Sequence, residues 1–175
     1  RRDFFRVAGV VAAVAATTRI LAANSVYAAG NSVLRVGLSG CGNRGTGAAQ
    51  QALLADPNTR LVALGDAFAD KTEGALNKLK SYGPIADRVQ VDKDHMFAGF
   101  DAYKKLVDSV DVVVMAETPA FRPITLRYAV EQGKHCFVEK PIAVDPTGVR
   151  SVVESCKMAA EKKLSVVSGL CYRYQ

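Results

Sequence analysis

The segment Leu34-Arg-Val-Gly-Leu-Ser-Gly-Cys-Gly-Asn-Arg-Gly-Thr-Gly-Ala-Ala49 constrains this chain more than any other. A short apolar strand runs into Gly40-x-Gly42-x-x-Gly45, and a helix opens on small residues. This order suits a nucleotide pyrophosphate. Gly40 allows the tight turn, Gly42 lets backbone approach the phosphates, and Gly45 lets helix and strand pack closely. The first free N–H groups of the helix, and its positive dipole end, then face the negative charge. A bare Gly-rich turn is the plainer alternative. The strand before it and the helix after it favour the nucleotide.

Downstream, strands and helices alternate at βαβ spacing. A helix over about 44–55 and a turn at Asp56-Pro57-Asn58 lead to a strand over 60–66 that ends on Asp66. A helix over 69–80, a short strand over 88–91 and a helix over 101–109 follow. Val110-Asp-Val-Val-Val-Met-Ala-Glu-Thr-Pro119 reads as a nearly continuous apolar strand of the kind buried on both faces of a parallel sheet. A helix over about 124–132, a strand over 135–138, a helix over 147–162 and a strand over 164–168 complete the pattern. The expected fold class is therefore α/β, a doubly wound parallel sheet of the NAD(P)-binding Rossmann type, spanning residues 31–170.

Asp66 lies 26 residues after Gly40, near the place where an acidic residue accepts hydrogen bonds from the adenosine ribose. A carboxylate there repels a 2′-phosphate, so NAD is expected in preference to NADP. Capping of the following helix is the competing role for Asp66. Glu117-Thr118-Pro119 is expected to open at the same sheet edge as the glycine turn, where ligands of open α/β sheets bind. Glu139-Lys140-Pro141 ends the next strand. A lysine aimed into the cleft can hydrogen-bond a substrate oxygen and stabilise charge developing on it. The proline can hold an unusual backbone path, including a cis bond. Taken alone, the tripeptide reads better as an exposed Lys/Glu pair at a loop start.

Composition narrows the class. The chain has 175 residues with 49% hydrophobic and 23% charged, which suits one globular domain. Of the net charge of +6, half comes from Arg1, Arg2, Arg6 and Arg19 against Asp3. The remainder is dispersed, unlike the clustered basic face of a nucleic-acid binder. Cys41, Cys136, Cys156 and Cys171 show no metal-type spacing. Cys41 and Cys136 are expected to be small packing residues. With only His95 and His135 besides, no metal site is expected.

The N-terminus has the three parts of an export signal: basic Arg1-Arg-Asp-Phe-Phe-Arg6, apolar residues 7–16, and Val26-Tyr-Ala28 as a cleavage-type site. The apolar run of about ten residues is short of the roughly twenty that span a membrane. The paired arginines resemble a twin-arginine signal. Residues 1–28 are thus expected to be a removable signal that directs the protein to a bacterial periplasm, leaving no membrane span.

The ordered set Gly-Cys-Gly-Asn-Arg-Gly, Asp66, Glu117-Thr-Pro, Glu-Gln-Gly-Lys-His135 and Val-Glu-Lys-Pro-Ile142 resembles the glucose–fructose oxidoreductase/inositol dehydrogenase family over roughly residues 33–173. Gly133-Lys134-His135 with Glu139-Lys140-Pro141 is its specific part. The resemblance implies that Gly40, Gly42, Asn43, Arg44 and Gly45 surround the pyrophosphate and that Asp66 meets the adenosine ribose. It also implies Thr118 and Pro119 along the cofactor, Glu139 and Pro141 beside the nicotinamide, and Lys140 on the substrate. The family commonly carries an asparagine and a histidine shortly after its Thr-Pro step, where this chain has Ala120-Phe-Arg-Pro123. A second α/β domain that covers the nicotinamide and supplies an aspartate/histidine pair for proton transfer is also implied. Residues 171–175 are expected to be its beginning and the rest to be missing from this sequence, which is therefore read as a fragment. Self-association through that missing domain is expected.

The activity implied is hydride transfer between nicotinamide and a sugar, cyclitol or related polyol. An NAD-dependent glycosidase of the same fold and a non-catalytic nucleotide-binding module are the alternatives.

Overall fold

A computed structural model describes residues 32–170. In chain order the elements are β1 (Leu34–Ser39), α1 (Asn43–Ala55), β2 (Thr59–Asp66), α2 (Ala69–Lys80), β3 (Met96–Ala98) and α3 (Ala102–Asp108). They continue with β4 (Val112–Met115), α4 (Arg122–Glu131), β5 (His135–Val138), α5 (Pro146–Glu161) and β6 (Val166–Ser168). Two 3₁₀ segments, Gly83–Arg88 and Lys93–His95, separate α2 from β3. The six strands form one sheet in the order β3-β2-β1-β4-β5-β6, parallel at every pairing. The chain reverses direction across the sheet between β1 and β4, which makes the C-terminal end of that strand pair the topological switch point.

Each face of the sheet buries its own apolar layer. Val36, Leu38, Leu61, Leu64 and Val114 pack against Ala49 and Leu53 of α1 and Ala75 and Leu79 of α2. Ala63, Val113, Met115, Cys136 and Val138 pack against Leu106 of α3, Leu126 and Val130 of α4, and Val152 and Ala159 of α5. Both layers take residues from the central strands, which explains the unbroken apolar reading of β4. The βα units wind to both sides of the sheet.

Two sequence expectations need correction. Residues 88–91 do not form a strand of the sheet; they make a single bridge, Leu61 to Val89. The third strand is Met96–Ala98, paired with Leu64, Gly65 and Asp66. Val89 and Val91 are buried as their pattern suggests, but the 3₁₀ turn before them spends the alternation on packing. The apolar stretch 110–119 is a strand only over Val112–Met115. Its first residues join the sheet through Arg35, whose backbone N donates to Asp111 (3.0 Å) and whose guanidinium pairs with the same carboxylate. Its last residues leave the ladder after Ala116 N donates to Ser39 O (2.7 Å). No helix among the described residues is long and apolar enough to cross a membrane. The expected export signal and residues 171–175 lie outside the described residues.

Candidate dinucleotide site

β1 delivers the glycine turn to the switch point. Gly40 has φ +89°, and a Cβ there would lie 2.2 Å from the backbone N of Glu117. A Cβ at Gly45 would lie 1.9 Å from Gly40 O. Neither position accepts a side chain without moving backbone. At Gly42 a Cβ would meet nothing within 4 Å among the described residues, and the space is open for another group to approach. α1 begins at Asn43 with no side-chain cap and no acidic residue in its first turn. Its first intrahelical bond is Thr46 N to Gly42 O (2.9 Å), so the N–H groups of Asn43, Arg44 and Gly45 lack intrahelical acceptors.

Asp66 ends β2 beside this turn. Its Oδ2 accepts from Cys41 N (2.7 Å) and its Oδ1 from Phe68 N (3.1 Å). One carboxylate therefore pins the glycine turn and the residue before α2, but it caps no amide of that helix, which has no side-chain cap. An ionised carboxylate offers about four acceptor positions, so ribose hydroxyls can still be accepted. Cys41 is a buried free thiol. Burial, followed by the Asp66 charge, pushes its pKa up to about 12, so it packs rather than reacts. Cys136 is likewise pushed to about 12 by burial.

A cleft of about 520 Å³ opens beside the turn. Ser39, Gly40 and Gly42 form one wall, Gly65 and Asp66 another, and Ala116, Glu117 and Thr118 a third. The expected residues Gly40, Gly42, Asp66 and Thr118 thus meet on one cavity. Gly45 shapes it from behind. Asn43, Arg44, Pro119, Glu139, Lys140 and Pro141 do not line it. Glu139 is nevertheless tied to the glycine helix: Arg44 Nε donates to its Oε1 (2.9 Å), and Arg44 Nη2 makes a second, closer contact with that oxygen. Glu139 is only 3% exposed and Arg44 53%. Arg44 is therefore bonded to Glu139 rather than lying loose over the turn. The Lys140–Pro141 peptide bond is cis.

Sequence reasoning missed two groups. Phe68, Phe100, Phe121 and Ile124 rim the cleft with exposed apolar surface, Phe100 being 75% exposed. The rings of Phe100 and Phe121 lie 5.8 Å apart. They come from separate loops and share no sequence spacing. The burial of Glu117 is the second: the sequence put the residue at this edge with Thr118 and Pro119, but not its carboxyl inside. Both of its carboxyl oxygens are buried without a hydrogen-bond partner among the described residues. Burial pushes its pKa up to about 7; its own backbone N–H, Thr125, Arg122 and Ser39 draw it back only in part.

A glycine cradle with uncapped helix amides, a carboxylate on the second strand and an open crevice at the switch point define a dinucleotide-binding doubly wound domain. Its residues fit such a cofactor: the missing side chains at Gly40 and Gly45 let the turn close on Glu117 and on itself, the open space at Gly42 leaves room for a pyrophosphate to approach, and the cleft has the size of a small-molecule site.

The sequence model described as "Oxidoreductase family, NAD-binding Rossmann fold" matches residues 34–168, and the chain belongs to that family, the glucose–fructose oxidoreductase/inositol dehydrogenase group. A curated relative from Streptomyces niveus, named glycosyl hydrolase family 109 protein, is 35% identical over 113 residues, covering 65% of this chain and 22% of its own length. The myo-inositol 2-dehydrogenase of Lactobacillus plantarum superposes with a TM-score of 0.64 at 23% identity, over 81% of this chain and 38% of that one. UDP-N-acetylglucosamine 3-dehydrogenase from Acidithiobacillus ferrooxidans gives 0.57 at 23%, over 78% and 38%. At these identities the two structures speak for the fold. The chain spans about a fifth of the length of the Streptomyces relative.

Proposed function

We propose that this chain is the cofactor-binding part of an exported NAD-dependent oxidoreductase that acts on a carbinol of a sugar, cyclitol or related polyol. The observation that carries the reading is the meeting of the glycine cradle, Asp66 and Thr118 on one cleft, with Glu139 of the Lys140 turn bonded to the glycine helix. Asp66 favours NAD over NADP, because a carboxylate cannot share its place with a 2′-phosphate. Bound NAD supplies the hydride acceptor. Glu139 and Pro141 flank the nicotinamide end, and Lys140 donates a hydrogen bond to the substrate oxygen and stabilises negative charge on it. Proton transfer from the substrate hydroxyl then falls to residues outside this segment. Signal-directed export to the periplasm and self-association through a further domain belong to the same reading.

The test is titration of NAD(H) and NADP(H) into the full-length protein, followed by a panel of cyclitols and sugars with NADH formation as readout. NAD binding and NADH release with a polyol are expected; no dinucleotide binding overturns the reading. Lys140→Ala is expected to lower turnover by about a hundredfold or more while changing NADH affinity little. Unchanged turnover removes Lys140 from the mechanism.

A second reading has its own support, since the curated relatives carry the glycosyl hydrolase family 109 name. In that reading the cofactor is retained and reoxidised within each turnover. Release of nitrophenol from nitrophenyl glycosides with no net NADH would select it.

A further inference from the structure

The turn that carries Lys140 lies beyond the end of the sheet. Glu139 N still donates to Met115 O (2.9 Å) and Gly169 N to Val138 O (2.8 Å), and there the ladder stops. Past that point side chains hold the backbone in place. Arg122 Nη1 donates to Glu139 O (2.7 Å) and to Pro141 O (2.5 Å), the carbonyls on either side of Lys140. Lys140 N donates to Glu139 Oε2 (3.2 Å), while Oε1 of the same carboxylate is held by Arg44. The peptide units around Lys140 are thus fixed on both sides. Among the described residues its ammonium has no partner, and the residue is exposed.

Arg122 reaches this turn from the first position of α4, and it is 5% exposed. Its Nε is buried with no hydrogen-bond partner among the described residues. Glu117 and Glu139 offset part of the cost of burying its charge. A guanidinium kept this deep with a spare donor is a poor device for stability, because an apolar side chain of similar volume often serves as well or better. Among the described residues its hydrogen bonds go to the two carbonyls that bracket Lys140.

We propose that Arg122 is the positioning residue for Lys140, clamping the two adjoining carbonyls so that the Lys140 side chain leaves the backbone at one fixed place at the end of β5. The proposal rests on the reading in which Lys140 meets the substrate oxygen. A displacement of about 1 Å in such a group can cost a hundredfold in rate. The Ala120-Phe-Arg-Pro123 segment, whose residues depart from the family pattern, thereby gains a specific task.

The experiment compares full-length wild type with Arg122→Met, which keeps the stem and removes the donors, and with Arg122→Lys. Arg122→Met is expected to lower kcat on the polyol substrate by about tenfold or more with NADH affinity held within about threefold, and Arg122→Lys to recover part of the loss. Unchanged kcat in Arg122→Met overturns the proposal. So does a parallel fall of kcat, NADH affinity and melting temperature in both variants, with lysine no better than methionine. If Arg122→Met does not fold, Arg122→Lys carries the test by the same split between kcat and NADH affinity. Crystal structures of the full-length wild type and the folded variant give a readout that needs no substrate. A shifted Lys140 backbone supports the clamp, and an unmoved one refutes it even if Lys140→Ala shows that Lys140 takes no part in turnover.

Discussion

The Asp66 carboxylate carries two backbone bonds and faces the cleft, so its substitution acts on both the turn and the ligand. Asp66→Ser keeps a short acceptor but loses the charge. It is expected to weaken NAD binding by about tenfold or more, the scale of a charge-assisted hydrogen bond, and to narrow the preference over NADP. Titration of both dinucleotides into the variant checks this, and equal affinities for wild type and variant would remove Asp66 from the ribose. The residue is legible in sequence because it ends an apolar strand at about the right distance from the glycines. Arg122 and Glu117 are not. Nothing in Ala116-Glu-Thr-Pro-Ala-Phe-Arg122 says that a carboxyl and a guanidinium fold inward. Only the place where β4 stops and α4 starts turns them toward the end of β5.

Among the elements, the two helices that begin on opposite faces of the sheet differ in how their first turns are satisfied. α5 is capped by Asp145, whose Oδ1 accepts from Gly148 N (2.7 Å), and Pro146 follows at the first helical position. Asp145→Ala is expected to cost about 1 kcal/mol, read as a lowered midpoint in chemical denaturation, with NAD affinity unchanged. α1 has no such cap, and the N–H groups of its first turn are left without intrahelical acceptors. The glycines before α1 are visible in the sequence, as is the order of nearly all the elements. The third strand is not. The pattern of residues 88–91 shows burial, yet burial is shared by strands and by irregular segments packed on a core. β3 is three residues long and half exposed at the sheet edge, so it has too few buried side chains to leave an alternating signal.

Across the whole molecule, four ionisable groups from three segments converge at the C-terminal edge of the sheet: Arg44, Glu117 with Arg122, and Glu139. Glu117 links this cluster to stability. Its pKa is raised in the folded protein from about 4.5 to about 7. Between those values the unfolded chain has lost the proton and the folded chain keeps it, so stability falls as pH rises through that window and levels off above it. The span corresponds to a loss on the order of 3 kcal/mol. Glu117→Gln removes this titration. Urea denaturation of wild type and variant at pH 5 and pH 8 is expected to show a smaller decline in the variant, and parallel declines would mean that Glu117 ionises as freely in the folded protein as in the unfolded chain.

The sequence by itself determined the winding of strands and helices and the glycine turn, and it placed a carboxylate at the end of the second strand. Each of these depends on neighbours a few residues away: apolar periodicity, the lack of a Cβ, the length of a helix. Tertiary structure decided which strand pairs at the β3 edge, that Arg44 bonds to Glu139, and that Arg122 brackets Lys140. Those contacts join residues 17 to 95 positions apart. They form only when two strand ends arrive side by side at the same edge of the sheet, and no local pattern records that arrival.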